Sequence, residues 1–190
     1  MNHAGDDLNV TEIVLEETFQ YHPVNTQIFK PFVISRLMEH PAILSNSLEY
    51  RIEIQDVGEL GTRSVRVKWT WTDEMIPARP LAAQREYITE AAAYALAFAI
   101  VKRFTSAELL DTAEREERFD YVLAENGAFC GVEVSGSQTE SRQVLRDRHL
   151  QKIRQLLDNP MRWGGYVVIV GFTRREVILS YHAGERERRQ

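Results

Sequence analysis

Apolar and polar side chains alternate along two stretches in the first half of the chain. The alternating apolar positions are Tyr50, Ile52, Ile54, Val65, Val67, Trp69 and Trp71. A period of two is typical of a strand with one buried face, and the loop from Val57 to Gly61 between the series contains two glycines. We therefore predict a β-hairpin within Leu48 to Trp71. Its outward basic side chains are either solvated or part of a binding surface.

The second half of the chain combines helical and extended patterns. We predict an alanine-rich helix over 82–104 and a second helix from Gln143 to Leu157. The predicted strands are 118–123, 129–134, 166–172 and 177–181. Glu125-Asn126-Gly127 is a hairpin turn signal between the first two strands. This order of elements predicts an α/β (α+β) fold with a central mixed β-sheet flanked by helices.

Length and composition are those of a globular protein. The chain has 190 residues, of which 44% are hydrophobic and 27% charged, so it is long enough to bury its own core. The single cysteine, Cys130, excludes an intramolecular disulfide and fits a reducing compartment. The longest apolar run, Ala91 to Val101, is too short to span a bilayer, and the N-terminus lacks a secretion signal. We therefore expect a cytoplasmic protein with no membrane partner.

Charge is distributed unevenly around a net value of −5. Residues 1–135 carry 12 basic and 22 acidic groups, whereas residues 136–190 carry 11 basic and 6 acidic groups. The net charge excludes a uniformly basic coat for nucleic acid, but the last third of the chain can form a local basic surface. Only four of the basic residues are lysines, and Lys152 is the single lysine after position 102.

Three acidic residues stand out by position. Asp120 interrupts one predicted strand, Glu133 lies between two valines of the next, and Glu90 precedes the alanine run of the helix. On a hairpin, Asp120 and Glu133 can be neighbours, and two close carboxylates repel unless a proton or a cation lies between them. Mg²⁺ prefers such oxygen ligands and can activate water for attack on a phosphodiester. The alternative is that both acids form ion pairs with arginines.

The residues around these acids resemble the PD-(D/E)XK nucleases, the restriction-endonuclease-like superfamily. The resemblance rests on the runs Arg118-Phe119-Asp120-Tyr121 and Gly131-Val132-Glu133-Val134-Ser135-Gly136, with Glu90 on the preceding helix. It extends over about residues 82–181 and implies a restriction-endonuclease-like core with a central mixed sheet. It divides the chain into an N-terminal β-rich extension of unknown role at 1–80, the core at 81–183 and a flexible charged tail at 184–190.

The resemblance implies a role for each matching position. Asp120 and Glu133 would be ligands of a metal ion, Mg²⁺ or Mn²⁺. Glu90 would be a third acid at the metal or in its water shell. The main-chain carbonyl of Val134 would complete the coordination.

Ser135 departs from the family pattern, because a lysine that assists the attacking water is expected there. A hydroxyl group cannot supply that positive charge. Some members of the superfamily carry this lysine on the following helix, where Lys152 lies, with Gln155 nearly one turn further on the same face. Lys152, Gln155 and Ser135 are therefore the predicted catalytic residues beside the three acids. The alternative is that Lys152 faces solvent.

Basic side chains cluster on the helix that follows the predicted hairpin. The candidates for nucleic-acid binding are Arg142, Arg146, Arg148 and Arg154. Arginine pairs bidentately with phosphate, so a basic helix beside an acidic metal site would hold a nucleic-acid backbone. The alternative is that these side chains are the solvated face of an amphipathic helix.

These observations leave three hypotheses open. The first is a Mg²⁺-dependent endonuclease, a hydrolase that cleaves phosphodiester bonds in DNA. The second is a catalytically inactive nuclease fold that acts as a binding or assembly subunit, with the N-terminal region contacting a protein partner or a second copy of the chain. The third is DNA binding without cleavage, which would depend on salt but yield no products.

Overall fold

A computed structural model of the protein describes residues 10–41, 43, 45–57, 60–114, 117–139 and 141–185. In these residues the protein is an α/β structure in which one eight-stranded mixed sheet packs against four helices. The strands are β1 (Val10–Val14), β2 (Ser47–Gln55), β3 (Arg63–Thr70), β4 (Glu108–Thr112), β5 (Tyr121–Glu125), β6 (Ala128–Ser137), β7 (Gly165–Gly171) and β8 (Glu176–His182). The helices are α1 (Leu15–Thr18), α2 (Lys30–Met38), α3 (Arg85–Phe104) and α4 (Arg142–Leu157).

The strands lie in the order β1-β3-β2-β8-β7-β6-β5-β4 across the sheet. The pairs β1–β3, β2–β8 and β6–β7 are parallel, and the other neighbours are antiparallel. Helix α4 is the crossover between the parallel strands β6 and β7. The N-terminal hairpin, β2 and β3, extends this same sheet because β2 pairs with β8.

Strand β6 is longer than its neighbour β5. Their pairing begins at Tyr121 and Val132, whereas β6 continues to Ser137 beside β7 alone. Main-chain groups of alternate residues in a strand point to the same side, so Val134 and Gly136 direct theirs into the space that precedes the start of β5. We name this space, which lies between α3 and α4, the notch.

Helices α3 and α4 cover opposite faces of the sheet. Helix α3 packs on the face that contains Val134, and α4 on the face that contains Val167 and Ile169. The alanine-rich sequence of α3 permits a close approach. At Gly136, a Cβ atom would lie 2.7 Å from the carbonyl oxygen of Thr89, so only glycine fits there.

The predicted hairpins, both predicted helices and the two C-terminal strands are present, with three differences. Helix α3 begins at Arg85 rather than at 82. Strand β4, Glu108–Thr112, was not predicted, because it is a short edge strand next to a charged loop. Asp120 lies just before β5 rather than inside a strand, since Arg118 has a φ of 60° and turns the chain there.

Two sequence-based expectations concern the ends and the environment of the chain. Of the predicted tail at 184–190, residues 186–190 lie outside the described residues. Among the described helices, none is long and apolar enough to cross a membrane.

Candidate functional site

The side chain of Lys152 lies between the two acids that the sequence singled out. Its Nζ donates to Oδ2 of Asp120 at 3.4 Å and also to Oε2 of Glu133. The side chains of Lys152 and Asp120 are 19% and 20% exposed, whereas that of Glu133 is fully buried. Two carboxylates therefore converge on one ammonium group in a cluster that is buried at one end and open to solvent at the other.

Each of the three side chains is held by a different part of the fold. Asp120 follows the turn at Arg118, and its Oδ2 accepts the main-chain N–H of Val134 at 2.8 Å. Glu133 alternates with the valines of β6 and so points toward α4. Lys152 projects from the half-buried side of α4 toward the sheet. The carboxylate of Asp120 thus occupies the position where β5 would otherwise continue to pair with β6.

The cluster carries more negative than positive charge. Burial raises the pKa of Glu133, and the charge of Asp120 raises it further, to about 7, against the opposing effect of Lys152. Burial alone would lower the pKa of Lys152, but the two carboxylates outweigh it and the net shift is upward. These directions are compatible, because one ammonium group cannot neutralise two carboxylates. The site therefore favours the uptake of a proton or of a metal cation.

One oxygen atom of this cluster is unsatisfied. Oε1 of Glu133 is buried and has no hydrogen-bond partner among the described residues. Buried polar atoms are nearly always hydrogen-bonded, and the exceptions include atoms that contact an ion. The chemistry of this oxygen is that of a ligand for a hard cation.

Glu90 lies on the exposed side of α3, and Tyr94 follows it by about one helical turn. Burial raises the pKa of the Tyr94 hydroxyl, and the charges of Asp120, Glu90 and Glu133 raise it further. Sequence analysis did not select Tyr94, although its spacing of four residues from Glu90 was a usable signal.

A metal site made of three acids stays a prediction. Within the described residues, no group of three or more His, Cys, Asp or Glu side chains is close enough to hold a metal ion. Of the three predicted acids, Asp120 and Glu133 are the two that converge on Lys152, whereas Glu90 lines the neighbouring notch.

The notch is a cleft of about 340 Å³. It is lined by Arg85, Glu86, Thr89, Glu90, Ser135, Gly136, Ser137, Gln138 and Arg148. Nη1 of Arg148, from α4, donates to Oγ of Ser135 at 3.2 Å and to the carbonyl oxygen of Gly136 at 3.4 Å. The position where the resemblance expects a lysine therefore holds a serine that contacts a guanidinium group.

Two residues that line the notch are held by a buried arginine of α2. Arg36 is 4% exposed and donates to Oγ1 of Thr89 at 2.8 Å. In the amide orientation that satisfies its neighbours, the carboxamide oxygen of Gln138 accepts from both Nη atoms of Arg36 at 2.7 Å. Glu39 compensates the charge of Arg36 at 2.5 Å. No sequence pattern indicates this role, because the contacts join segments that are far apart in the chain.

The other predicted site residues lie elsewhere on α4. Arg142 forms an ion pair with Glu53 at 2.7 Å. Arg146 and Arg154 are exposed and form no ion pair with the described residues. Gln155 is also exposed, and in the described part of the chain it makes no hydrogen bond to the acids or to the lysine of the site. None of these residues lines the notch.

Comparison of the chain with protein-family models, with curated proteins and with solved structures finds no match.

Proposed function

We propose that this protein is a metal-dependent nuclease that hydrolyses phosphodiester bonds in DNA. The observation that carries the proposal is the convergence of Asp120 and Glu133 on Lys152 beside an open cleft. Paired carboxylates with an adjacent ammonium group combine a cation site with a positive charge that can act on a phosphate.

The order of elements supports the finer assignment to a restriction-endonuclease-like core. Helix α3 is followed by the antiparallel strands β4, β5 and β6, then by α4 and by β7, which is parallel to β6. The resemblance at 82–181 implies a helix with an acid, a strand with the aspartate, a paired strand with the glutamate, and then a helix and further strands. Strand β4 is not part of that expectation. We therefore propose that the core belongs to the PD-(D/E)XK type and that β1, β2 and β3 are additions to its sheet.

The residues present fit a hard divalent cation such as Mg²⁺ or Mn²⁺. Oε1 of Glu133 lacks a hydrogen-bond partner among the described residues, and the cluster has negative charge to be neutralised. By strand alternation, the main-chain carbonyl of Val134 lies on the edge of β6 that β5 leaves unpaired, the edge that Asp120 contacts. Glu133, Asp120 and Val134 would therefore hold the metal, which would supply a water of lowered pKa and a positive charge beside the phosphate.

The remaining residues of the site would act on water and phosphate. Lys152 keeps its proton because both carboxylates raise its pKa, so it presents a positive charge to the attacking water and to the phosphate oxygens. Glu90 and the hydroxyl of Tyr94 lie on the α3 side, where they would accept and donate hydrogen bonds in the water shell of the cation. Ser135 and Gln155 stay candidates for direct contact with the substrate.

Cleavage of supercoiled plasmid DNA with Mg²⁺ or Mn²⁺ tests this proposal. We expect Asp120→Asn and Lys152→Met each to lower the cleavage rate by about 100-fold or more. Asp111→Asn is the matched control, because Asp111 is an exposed acid on β4 and should not affect the rate. Equal rates for the wild type, Asp120→Asn and Asp111→Asn would contradict the proposal.

Metal binding provides a measurement that does not depend on cleavage. Calorimetric titration with Mn²⁺ should show one site in the wild type that is lost in Glu133→Gln and kept in Asp111→Asn. Binding that is unchanged in Glu133→Gln would remove Glu133 from the metal site.

A second candidate function is a nuclease fold without catalysis that serves as a binding or assembly subunit. One observation favours it: Lys152 pairs with both carboxylates, as it would in a purely structural ion-pair cluster. In that case the wild-type protein would bind no Mn²⁺ and would leave duplex DNA, single-stranded DNA and RNA uncut. A co-purifying protein lost on alteration of residues 10–80 would then identify the N-terminal region as the docking surface.

A further inference from the structure

We infer that the notch holds a phosphate group of the nucleic-acid backbone and that Arg148 is its principal ligand. The inference rests on the proposed function for the identity of the ligand. The inference goes beyond the proposed function because it names one binding position and assigns phosphate binding to Arg148 rather than to the other basic residues of α4.

The charge of Arg148 is uncompensated among the described residues. Its guanidinium group donates only to neutral oxygens, those of Ser135 and Gly136, at 3.2 and 3.4 Å. By contrast, Arg85 of the same cleft pairs with Glu39 at 3.2 Å, and Arg142 of the same helix pairs with Glu53 at 2.7 Å. A guanidinium group has five N–H donors, so most donors of Arg148 stay available for bidentate hydrogen bonds to two oxygens of a phosphate.

The main chain of β6 adds a second donor. Because β5 begins only at Tyr121, the N–H of Gly136 points into the notch from the unpaired edge of β6. The N–H of Val134 lies on the same edge and donates to Asp120 at 2.8 Å. An anion beside Arg148 can therefore accept from a guanidinium group and from a main-chain amide.

The distribution of charge across the notch places the phosphate on the side of the notch that faces α4. Glu86 and Glu90 of α3 line the opposite wall and would repel an anion. Arg148 precedes Lys152 by four residues, which is about 6 Å along α4. A phosphate bound at Arg148 therefore lies next to the cluster of Asp120 and Glu133. The separation is that expected for consecutive phosphates of one nucleic-acid strand.

Binding of labelled DNA, measured by fluorescence anisotropy in EDTA so that metal-dependent cleavage cannot occur, tests the inference. We expect Arg148→Ala to weaken binding about tenfold and to reduce by about 1 the slope of log K against log salt concentration. Arg148→Lys should restore the slope but only part of the affinity, because lysine lacks the bidentate geometry. Arg103→Ala is the control, since Arg103 is equally exposed but lies about 20 Å along α3 from Thr89.

The outcomes separate this inference from the proposed nuclease activity. If the wild type binds DNA in an Arg148-dependent manner but cuts no substrate, the phosphate site stands and the nuclease proposal falls. If the wild type cuts DNA while Arg148→Ala and Arg103→Ala bind equally well, the inference is overturned and the nuclease proposal stands. Absence of any DNA binding by the wild type overturns the inference as well. Circular dichroism of each variant identifies misfolding. If Arg148→Ala misfolds, the DNA affinity of Arg148→Lys relative to the wild type tests the inference instead, and equal affinities would overturn it.

Discussion

At the residue scale, Lys152 is the side chain on which the charge balance of the buried cluster depends. Its replacement by methionine leaves Asp120 and Glu133 without a counter-charge. We expect Lys152→Met to lower the free energy of unfolding by about 3 kcal/mol at pH 8, as is typical when one partner of a buried ion pair is removed. The loss should shrink at pH 5, because Glu133, with its pKa raised to about 7, takes up a proton there. Urea denaturation at both pH values measures this.

The control for this substitution is Lys102→Met, since Lys102 forms a more exposed pair with Glu108 at 2.8 Å, in which the two side chains are 30% and 46% exposed. We expect a much smaller change there, with little difference between the two pH values. If Lys152→Met has the same effect at pH 5 and at pH 8, the carboxylates are not the origin of the loss.

A second residue-scale prediction concerns His149, a buried residue of α4 that directly follows Arg148. Its Nε2 contacts Oγ of Ser180 at 2.7 Å, and that oxygen contacts Nε2 of His182 at 2.8 Å. Burial lowers the pKa of His149, and the charge of His182 lowers it further, to about 4, against the opposing effect of Glu53. The neutral imidazole is therefore the form that the folded state accommodates.

The sign of the pH dependence follows from this shift. The pKa of His149 in the folded state lies below 6.5, the ordinary value for histidine. Below pH 6.5 the unfolded chain therefore binds more protons than the folded chain, and the free energy of unfolding falls as the pH drops toward 4. The full contribution is roughly 3 kcal/mol. We expect the difference in unfolding free energy between the wild type and His149→Gln to narrow by this amount between pH 7 and pH 4. An NMR titration of His149 with a midpoint near 6.5 would contradict the prediction.

The sequence indicated the three side chains that meet in the buried cluster, but not the residues that surround them. Asp120 and Glu133 were recognisable because carboxylates are rare in apolar strands, and Lys152 because lysines are scarce in this chain. Tyr94, Arg36 and the contact of Arg148 with the strand were not predictable. Those contacts depend on how closely helices approach the sheet, and side-chain periodicity does not encode that distance.

At the element scale, the contact between α3 and β6 determines the shape of the notch. The Cβ of an alanine at position 136 would lie 2.7 Å from a main-chain oxygen of α3, which cannot move without shifting the helix. We expect Gly136→Ala to cost about 1–3 kcal/mol of unfolding free energy, the usual range for overpacking. Thermal or urea denaturation measures the loss, with Ser135→Ala as the control, for which less than about 1 kcal/mol is expected. Equal values for both variants would mean that α3 can move away from β6.

Elements with strong periodicity were predictable, and elements defined by their neighbours were not. The β2–β3 hairpin, α3, α4 and β7 each have a pattern long enough to determine their type. Strand β4 was missed because Glu108–Thr112 has only two consecutive leucines between polar residues, and it is a strand only because β5 lies beside it. Strand pairing of this kind is a tertiary effect that overrides local preference.

At the scale of the whole molecule, one continuous sheet joins the two parts that the sequence separated at residue 80. Strand β2 pairs with β8, and Trp69 and Trp71 are buried in the same core cluster as Val168 and Leu179. We expect the whole chain to unfold in a single transition, because neither part can expose its side of this core and remain folded.

The three tryptophans allow this prediction to be measured. Trp163 stacks on Phe119 at 5.9 Å in the second half of the chain, whereas Trp69 and Trp71 lie in the first. Fluorescence of Trp163→Phe reports on the N-terminal hairpin, and fluorescence of the Trp69→Phe, Trp71→Phe double variant reports on the site half. Each should give the same urea midpoint as the circular dichroism of that same variant. Separate midpoints would show that the two parts are independent domains.

The notch exists because β6 extends beyond the residues that pair with β5. The access of a ligand to the site therefore depends on the length of β5. Each pair of residues added to the start of β5 would cover about 6.8 Å of β6, while a single added residue would exchange the two faces of the strand. An insertion of two residues ahead of Tyr121 would therefore close the entrance and move Asp120 away from the N–H of Val134, while Glu133, Lys152 and Arg148 keep their places in the fold. The residue at which β5 begins therefore determines both the entrance to the notch and the position of the Asp120 carboxylate.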